Sequence, residues 1–438
     1  MTRGRKWLVG LVASAFVLVF AVAILFSLLP SDEELANTAA VKLGAALGAE
    51  VRIGTVQWRL FPSPAVMVQE MSVASQQPIT FKSLVLYPDL RALWSRRVRF
   101  RQVTLTGAVV PQMSLRSLGA HGETFAGDDG QWTVDALPLA RLVFSDVTWI
   151  SRRGIPVIYD GEVDFDVNWR PRAAALRRPG VNPPAELLLT RSGDEDRWAV
   201  DIRVGGGTAN GEVSLQELAG GRMKLTGRLK PDKVEVASAL SAFNRRPTIS
   251  GLASGDTTLS AEGGTVLNLA QSLNTKTPFV MGPGKLLRFD LDKAVRTLGK
   301  DHTGQTPLDS VTGLLETQNT PDGMVSYFRD IRAKSGSLSA SGNAKLFNRH
   351  IDAELAVDLV DGIVGVPLRI SGPTTDVKVS VPPGAVAGAV VGTAVLPGIG
   401  TAIGARIGAT LGKLFGPAAG ASAPKSSTPP GPMGRKAP

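Results

Sequence analysis

The chain of 438 residues is long enough for more than one domain, and it contains no cysteine, which excludes disulfides, thiolate metal sites and cysteine nucleophiles. Its three histidines, His121, His302 and His350, stand far apart without metal-ligand spacing, so no zinc site is expected. The net charge of +10 suits an anionic partner, and for an exported protein phospholipid or lipopolysaccharide fits better than nucleic acid; the excess can equally serve only solubility.

The first predicted element is a membrane anchor. Arg3, Arg5 and Lys6 precede an uncharged run over 7–29, and Asp32, Glu33 and Glu34 follow it. At about 1.5 Å per residue, such a helix is roughly 35 Å long and crosses a bilayer with a little tilt. The basic end stays in the cytoplasm, which places the body on the far side. A cleaved signal peptide is the rival reading. Its apolar run would be shorter, and Phe26-Ser27-Leu28-Leu29-Pro30 is a poor cleavage site.

Ser31-Asp32-Glu33-Glu34 then reads as a capping box opening a helix. Leu35, Ala39, Leu43 and Leu47 share one face of it, and Gly48 can end it. Strand-like runs follow over 51–60, 66–73, 81–87 and 98–110, punctuated by Pro and Gly. Alternation marks several strands. Phe165, Val167 and Trp169 oppose Asp164, Asp166 and Asn168, while Trp198, Val200, Ile202 and Val204 oppose Ala199, Asp201 and Arg203. Such strands belong to antiparallel sheet with one apolar and one wet face. Two short helices are predicted, over 232–243 and 290–298, and a structureless loop over 171–184. Gly205-Gly206-Gly207 precedes no helix and reads as a turn, not a nucleotide loop.

Candidate chemistry is sparse. Glu162, Asp164 and Asp166, spaced by two, would share a strand face as an acid/base pair or a calcium site, or simply as a solvated row. Asp194-Glu195-Asp196 and Asp128-Asp129-Gly130 read as turn tips, and no serine has an evident base partner. The expectation is a non-enzymatic protein without cofactor or metal.

The C-terminal run has a different character. Gly384, Gly388 and Gly392 are spaced by four, and after Pro397-Gly398 the spacing resumes at Gly400, Gly404, Gly408, Gly412 and Gly416. Two glycine-striped helices folded into a hairpin would fit closely into a membrane or a membrane-protein partner. A flexible low-complexity segment is the alternative, since glycine disfavours helix in water. Residues 417–438, rich in Pro, Ala and Ser, read as a disordered tail.

Three stretches carry a family resemblance. The first is Ile53-Gly54-Thr55-Val56-Gln57-Trp58-Arg59-Leu60-Phe61-Pro62, followed by a helix at 89–94 and Val103-Thr104-Leu105-Thr106-Gly107-Ala108. The second is the succession Ser272-Leu273, Gly284-Lys285-Leu286-Leu287 and Asp290-Leu291. The third is Gly365-Val366-Pro367-Leu368-Arg369-Ile370-Ser371-Gly372. In this order, behind an anchor, they resemble the AsmA-like family of membrane-anchored, long-groove β proteins. The likeness covers 7–108 and about 232–380; Asn274 stands where the family has Gly, and the usual Asp-Pro after Gly372 is missing.

The resemblance implies a mostly β protein: a long antiparallel sheet folded into an open apolar trough, an N-terminal transmembrane helix and few short helices. An ordinary closed sandwich is the alternative. The implied function is sheltering or transfer of phospholipid between inner and outer membranes of a double-membraned bacterium. The body would lie in the periplasm and the anchor in the inner membrane. The alternative is an assembly or scaffold factor for outer-membrane proteins. Groove-lining candidates are Val66, Val68, Phe165, Val167, Trp198 and Val200. Expected partners are phospholipid or another membrane lipid and the inner membrane, with the outer membrane or a membrane-protein partner reached through 384–416. The expected organisation is 1–30 basic tip and anchor, 31–117 N-terminal module, 118–230 middle β region, 231–383 C-terminal β region, 384–416 hairpin and 417–438 tail. About 25 strands at roughly 4.8 Å would give a trough of at most ~120 Å.

Overall fold

A computed structural model describes residues 36–381, apart from 38–39, 42, 45–47, 60, 96, 115–132, 167–169, 298, 321 and 360–362. The expected anchor at 7–29 and the glycine-spaced run at 384–416 lie outside the described residues. No helix of the described residues is long and apolar enough to cross a membrane.

The protein is mostly β, with 24 described strands in one open sheet and few, short helices. β1 (Val51–Arg52) and β2 (Thr55–Arg59) both pair with β3 (Ala65–Val73), and β4 (Ile79–Pro88) and β5 (Arg97–Pro111) follow. β6 (Thr133–Leu139) and β7 (Arg141–Ile150) share the next rank, both parallel to β5. Parallel neighbours need a long connection between them, and 21 residues separate the end of β5 from the start of β6. Every other pairing is antiparallel. β8 (Pro156–Phe165), β9 (Pro171–Arg177), β10 (Glu186–Arg191), β11 (Arg197–Val204), β12 (Gly207–Glu217) and β13 (Met223–Asp232) succeed one another as hairpins. β14 (Val234–Glu235), β15 (Ile249–Gly255) and β16 (Thr257–Gly263) lead onto β17 (Asn274–Leu286). β18 (Thr306–Leu308) and β19 (Ser310–Thr320) flank it on the other side. β20 (Gly323–Ser335), β21 (Leu338–Phe347), β22 (His350–Leu359), β23 (Ile363–Pro373) and β24 (Lys378–Ser380) complete the sheet.

Because short strands share ranks, the 24 strands make roughly 19 ranks, and at about 4.8 Å each the sheet is ~85 Å along its hydrogen-bonding direction. That is shorter than the ~120 Å reckoned from one rank per strand. Strands from all three expected regions, 31–117, 118–230 and 231–383, belong to this one sheet. Strand contacts run chiefly between ladder neighbours, and among the described residues no second sheet packs on the first. The closed sandwich is therefore not the architecture.

The stretch 171–184, expected to be structureless, supplies β9, which pairs on both sides. Its alanines fit between longer neighbours, and cross-strand pairing overrides their weak strand preference. The helix expected over 232–243 is shorter, Val236–Ala242, because Asp232 still pairs with Thr208 at the end of β13. The helix expected over 290–298 is Leu291–Arg296, with Asp290 as its N-cap accepting from the Lys293 N–H at 2.9 Å. Leu90–Trp94 forms the helix placed at 89–94, with the Asp89 carboxylate accepting from the Arg91 N–H at 3.1 Å.

One row of residues creases the sheet. Glu70, Lys82, Gly107 and Asp146 occupy matched positions on β3, β4, β5 and β7, and Glu70, Gly107 and Asp146 have φ of 55°, 64° and 54°. A left-handed residue inserted into a strand puts neighbours three apart on one face. Thus Val68 and Met71, Leu105 and Ala108, and Phe144 and Val147 keep to the same side. The row ends in a bulge facing β8, where the freed Asp146 N–H donates to the Asp160 carboxylate at 2.9 Å. A second bulge at Asp330 is built alike, with φ 49° and its N–H donating to Asn343 Oδ1 at 2.9 Å.

Candidate functional site

The ladder registers assign every strand residue to one of two faces. Starting from Trp198, one face carries Val200, Leu189, Leu176, Val163, Leu142, Leu105, Leu84 and Val68 towards the N-terminus. Towards the C-terminus it carries Val213, Leu225, Ala261, Met281, Val311, Ala333, Ala340, Val357 and Leu368. This face is apolar across the whole sheet. The other carries residues such as Glu162, Arg203, Glu212, Arg228, Lys276, Glu316 and Arg369.

All the small helices that touch a core cluster lie on the apolar face. Ala36, in the first described helical residues, packs with Val56 and Val68. Leu269 of the helix Val266–Gln271 packs with Trp198, Leu215, Met223 and Ala261. Val236 leans on Met281, Leu308 and Val311. Leu291, Ala294 and Val295 plug the C-terminal part against Leu338, Ala340, Val357 and Leu368.

Between β5 and β10 no described helix covers this face. Leu105, Leu142, Phe144, Val163, Phe165 and Leu176 are each only half-buried. A continuous apolar surface of this kind, rimmed by polar groups, is what a greasy ligand needs.

The expected groove residues divide accordingly. Val66, Val68, Phe165, Trp198 and Val200 all lie on the apolar face. Val68, Trp198 and Val200 are buried, at 7%, 3% and 7% exposure, whereas Val66 and Phe165 are half-buried. Trp198 is further fixed by its indole N–H, which donates to the Pro171 carbonyl at 2.6 Å. Val167 and the glycines Gly384 to Gly416 lie outside the described residues.

Buried arginines pin the two ends of β9. Before it, Arg170 is 4% exposed and donates to Asp196 at 2.9 Å and Glu217 at 2.5 Å. Arg191 joins this rim by bridging Asp166 and Asp196, both at 2.5 Å. After it, Arg178 donates to the carbonyls of Ala242 at 2.7 Å and Ile158 at 2.6 Å, and lies over the Tyr159 ring. Arg178 thus satisfies the C-terminal end of the helix Val236–Ala242 and fixes it on the rim of the open region.

The acidic row resolves into ion pairs. Glu162 and Asp164 share the polar face and both meet Arg141, at 2.5 Å and 3.7 Å. Asp166 leaves the row because β8 ends at Phe165, and it turns to Arg191. Asp194-Glu195-Asp196 and Gly205-Gly206 are hairpin tips. Among the described residues no group of three His, Cys, Asp or Glu is placed to hold a metal ion.

Two features escaped the sequence reading. One is the crease, whose signal is apolar–polar–acidic-or-Gly–apolar, as in Phe144-Ser145-Asp146-Val147 and Phe328-Arg329-Asp330-Ile331. The other is an arginine cluster drawn from Arg152-Arg153-Gly154, Arg245-Arg246-Pro247 and Asn348-Arg349, whose signal is arginine at turn tips. No family model, curated protein or solved structure matches the chain.

Proposed function

We propose that the protein shelters phospholipid acyl chains along the apolar face of its sheet and carries them between inner and outer membranes. In this reading the sheet is an open trough in the periplasm, held to the inner membrane by the segment 7–29, and it does no covalent chemistry. The observation that carries the reading is the apolar face itself, which runs across the ranks and carries no described helix between β5 and β10, where Leu105, Leu142, Phe144, Val163, Phe165 and Leu176 are half-buried. Each acyl methylene in water costs about 0.8 kcal/mol, so a lipid crossing an aqueous gap needs an unbroken apolar path. Half-buried Phe144 and Leu176 offer such a path, and the polar face keeps the same strands wetted on the other side.

A photocrosslinking residue placed at single positions in living cells tests this. Phospholipid crosslinks are expected at Phe144, Phe165 and Leu176, and not at Arg228 on the polar face or at Leu368 under its helix. No lipid adduct at any of the three open positions, in a stably folded protein, would remove the proposal. Stoichiometric protein adducts there instead would favour the assembly-factor reading.

A further inference from the structure

Three turns that are distant in sequence converge at one end of the uncovered region. The β7–β8 turn brings Arg152 and Arg153, the segment after the helix Val236–Ala242 brings Arg245, and the β21–β22 turn brings Asn348 and Arg349. Arg153 Nη2 donates to Asn348 Oδ1, and Asn244 Nδ2 donates to the Pro156 carbonyl at 2.6 Å. The two hairpins are about ten ranks apart, ~48 Å in a flat sheet. Their meeting requires a strongly curled one. A twist of roughly 20–25° per rank turns the strand direction through more than half a circle over that span, which brings the β21–β22 turn round towards the β7–β8 turn.

The convergence concentrates like charge. Burial, and then Arg349, Arg245 and Arg152 beside it, hold the Arg153 guanidinium below the ordinary arginine value. Among the described residues, Arg153, Arg245, Arg246 and Arg349 form no ion pair with a carboxylate. Elsewhere on the surface some arginines, Arg141, Arg203 and Arg329 among them, meet an acid. Asn348 and Arg349 also take left-handed backbone, with φ 52° and 59°. A tight hairpin of this kind favours Asn-Gly, so an arginine in the second position is held against its own backbone preference.

Apolar side chains stand next to the cluster. Trp149 and Val157 face each other on the apolar side at the end of β7 and β8, and Phe243 is 38% exposed beside Asn244. Positive charge at the rim of an apolar surface matches one ligand chemistry, a phosphate ester joined to acyl chains.

We propose that Arg153, Arg245 and Arg349 form a collar that holds the phosphate of an anionic phospholipid headgroup while its chains lie on the apolar face. The chains rest on the function proposed above; the anion site rests on the arginines alone. Its consequence is selectivity for anionic over zwitterionic lipid.

Full-length protein purified in detergent tests it. The protein is incubated with equimolar phosphatidylglycerol and phosphatidylcholine, and the retained lipid is read by native mass spectrometry. Wild type should retain phosphatidylglycerol preferentially. The combined variant Arg153→Gln, Arg245→Gln, Arg349→Gln should retain lipid without that preference, losing about fivefold per arginine removed. The matching triple Lys variant should keep most of the preference, which separates charge from folding damage; unchanged circular dichroism of both variants completes that control. A parallel arm measures glycerol phosphate binding by calorimetry. Equal retention of both lipids by wild type overturns the collar and leaves the proposed function standing. Glycerol phosphate bound at the arginines with no lipid retained assigns the site to a free phosphate ester and overturns the headgroup assignment. Neither lipid nor phosphate bound removes both proposals.

Discussion

The C-terminal end of the sheet and its middle present the same apolar face in different states. At the C-terminal end Leu368 and Val357 are 1% and 0% exposed beneath the helix Leu291–Arg296. In the middle Phe144, Val163 and Leu176 have the same chemistry and the same alternation, yet each stays half-buried. Strand sequence does not separate the two regions; the connections do. Helices at Val236–Ala242, Val266–Gln271 and Leu291–Arg296 are inserted between consecutive strands from β14 to β18, and each folds back over the apolar side. From β7 to β10 the strands follow one another with no described helix between them, through links such as 151–155. A strand hairpin with a short tip has nothing to lay over its own face. Among the described residues, the apolar face is dry core where a helix lies on it, whichever link that helix comes from.

The largest expected effect separates these regions by stability. Leu368→Ala removes a fully buried side chain under a helix and should destabilise by about 3 kcal/mol. Leu176→Ala, at a half-buried site, should cost less, about 1 kcal/mol, in urea unfolding of lipid-free protein. Added phospholipid should raise the cost at Leu176 and leave that at Leu368 unchanged, because a ligand bound to the folded state adds its own stabilisation. Equal costs at the two positions without lipid would mean that the middle is covered as well as the end.

The crease gives the next effect. Gly107 has φ 64°, and a Cβ there would stand 2.8 Å from Lys82 Cβ. Gly107→Ala meets both the left-handed penalty of about 1–2 kcal/mol and a contact that backbone must relieve. The same change at Gly154, which also has positive φ but open space around it, should cost only the conformational part. A smaller loss at Gly107 than at Gly154 would show that the row across β3 to β7 is not held tightly.

Much of the fold was legible because a half-buried strand writes its face into a two-residue alternation, as Trp198, Val200 and Ile202 do. The crease was not legible in that code: Phe144 and Val147 share a face but stand three apart, which breaks the alternation until Asp146 is recognised as an inserted left-handed residue. β9 was missed because Pro171, Arg172 and three alanines carry little intrinsic strand preference, and its pairing with β8 and β10 exists only in the folded chain. Of the six groove candidates, alternation placed the five described residues on the apolar face. It carried no information on what covers Val68, Trp198 and Val200, since Ala36 and Leu269 reach them from other elements. The arginine collar depends on a contact between residues 153 and 348, beyond any local pattern.

The smallest effect joins cover and collar through one carboxylate. Glu235 caps the helix Val236–Ala242, accepting from the Ser238 N–H at 2.5 Å, and its second oxygen accepts from the Gly251 N–H at 3.0 Å. Burial alone would raise its pKa, but these N–H donors, with the Ser238 side chain and the Ala237 N–H, outweigh burial and hold it below the ordinary glutamate value. A folded-state value below the unfolded one means the charged cap stabilises above about pH 4.5, and that this contribution is lost as pH falls through the folded value. Glu235→Gln keeps an acceptor but not the charge, so it should cost about 1 kcal/mol at pH 7. The cost should shrink towards zero as the wild-type carboxylate protonates, leaving the variant with the shallower stability profile as pH falls below about 4.5. The other end of this helix is held by Arg178 and leads directly to Arg245, so loosening its cap should also weaken anionic lipid retention while Leu368→Ala does not. A variant whose stability runs parallel to wild type across that pH range would assign the acid sensitivity to other carboxylates, with Glu316, held low by Arg329 and Lys276, as the next to change.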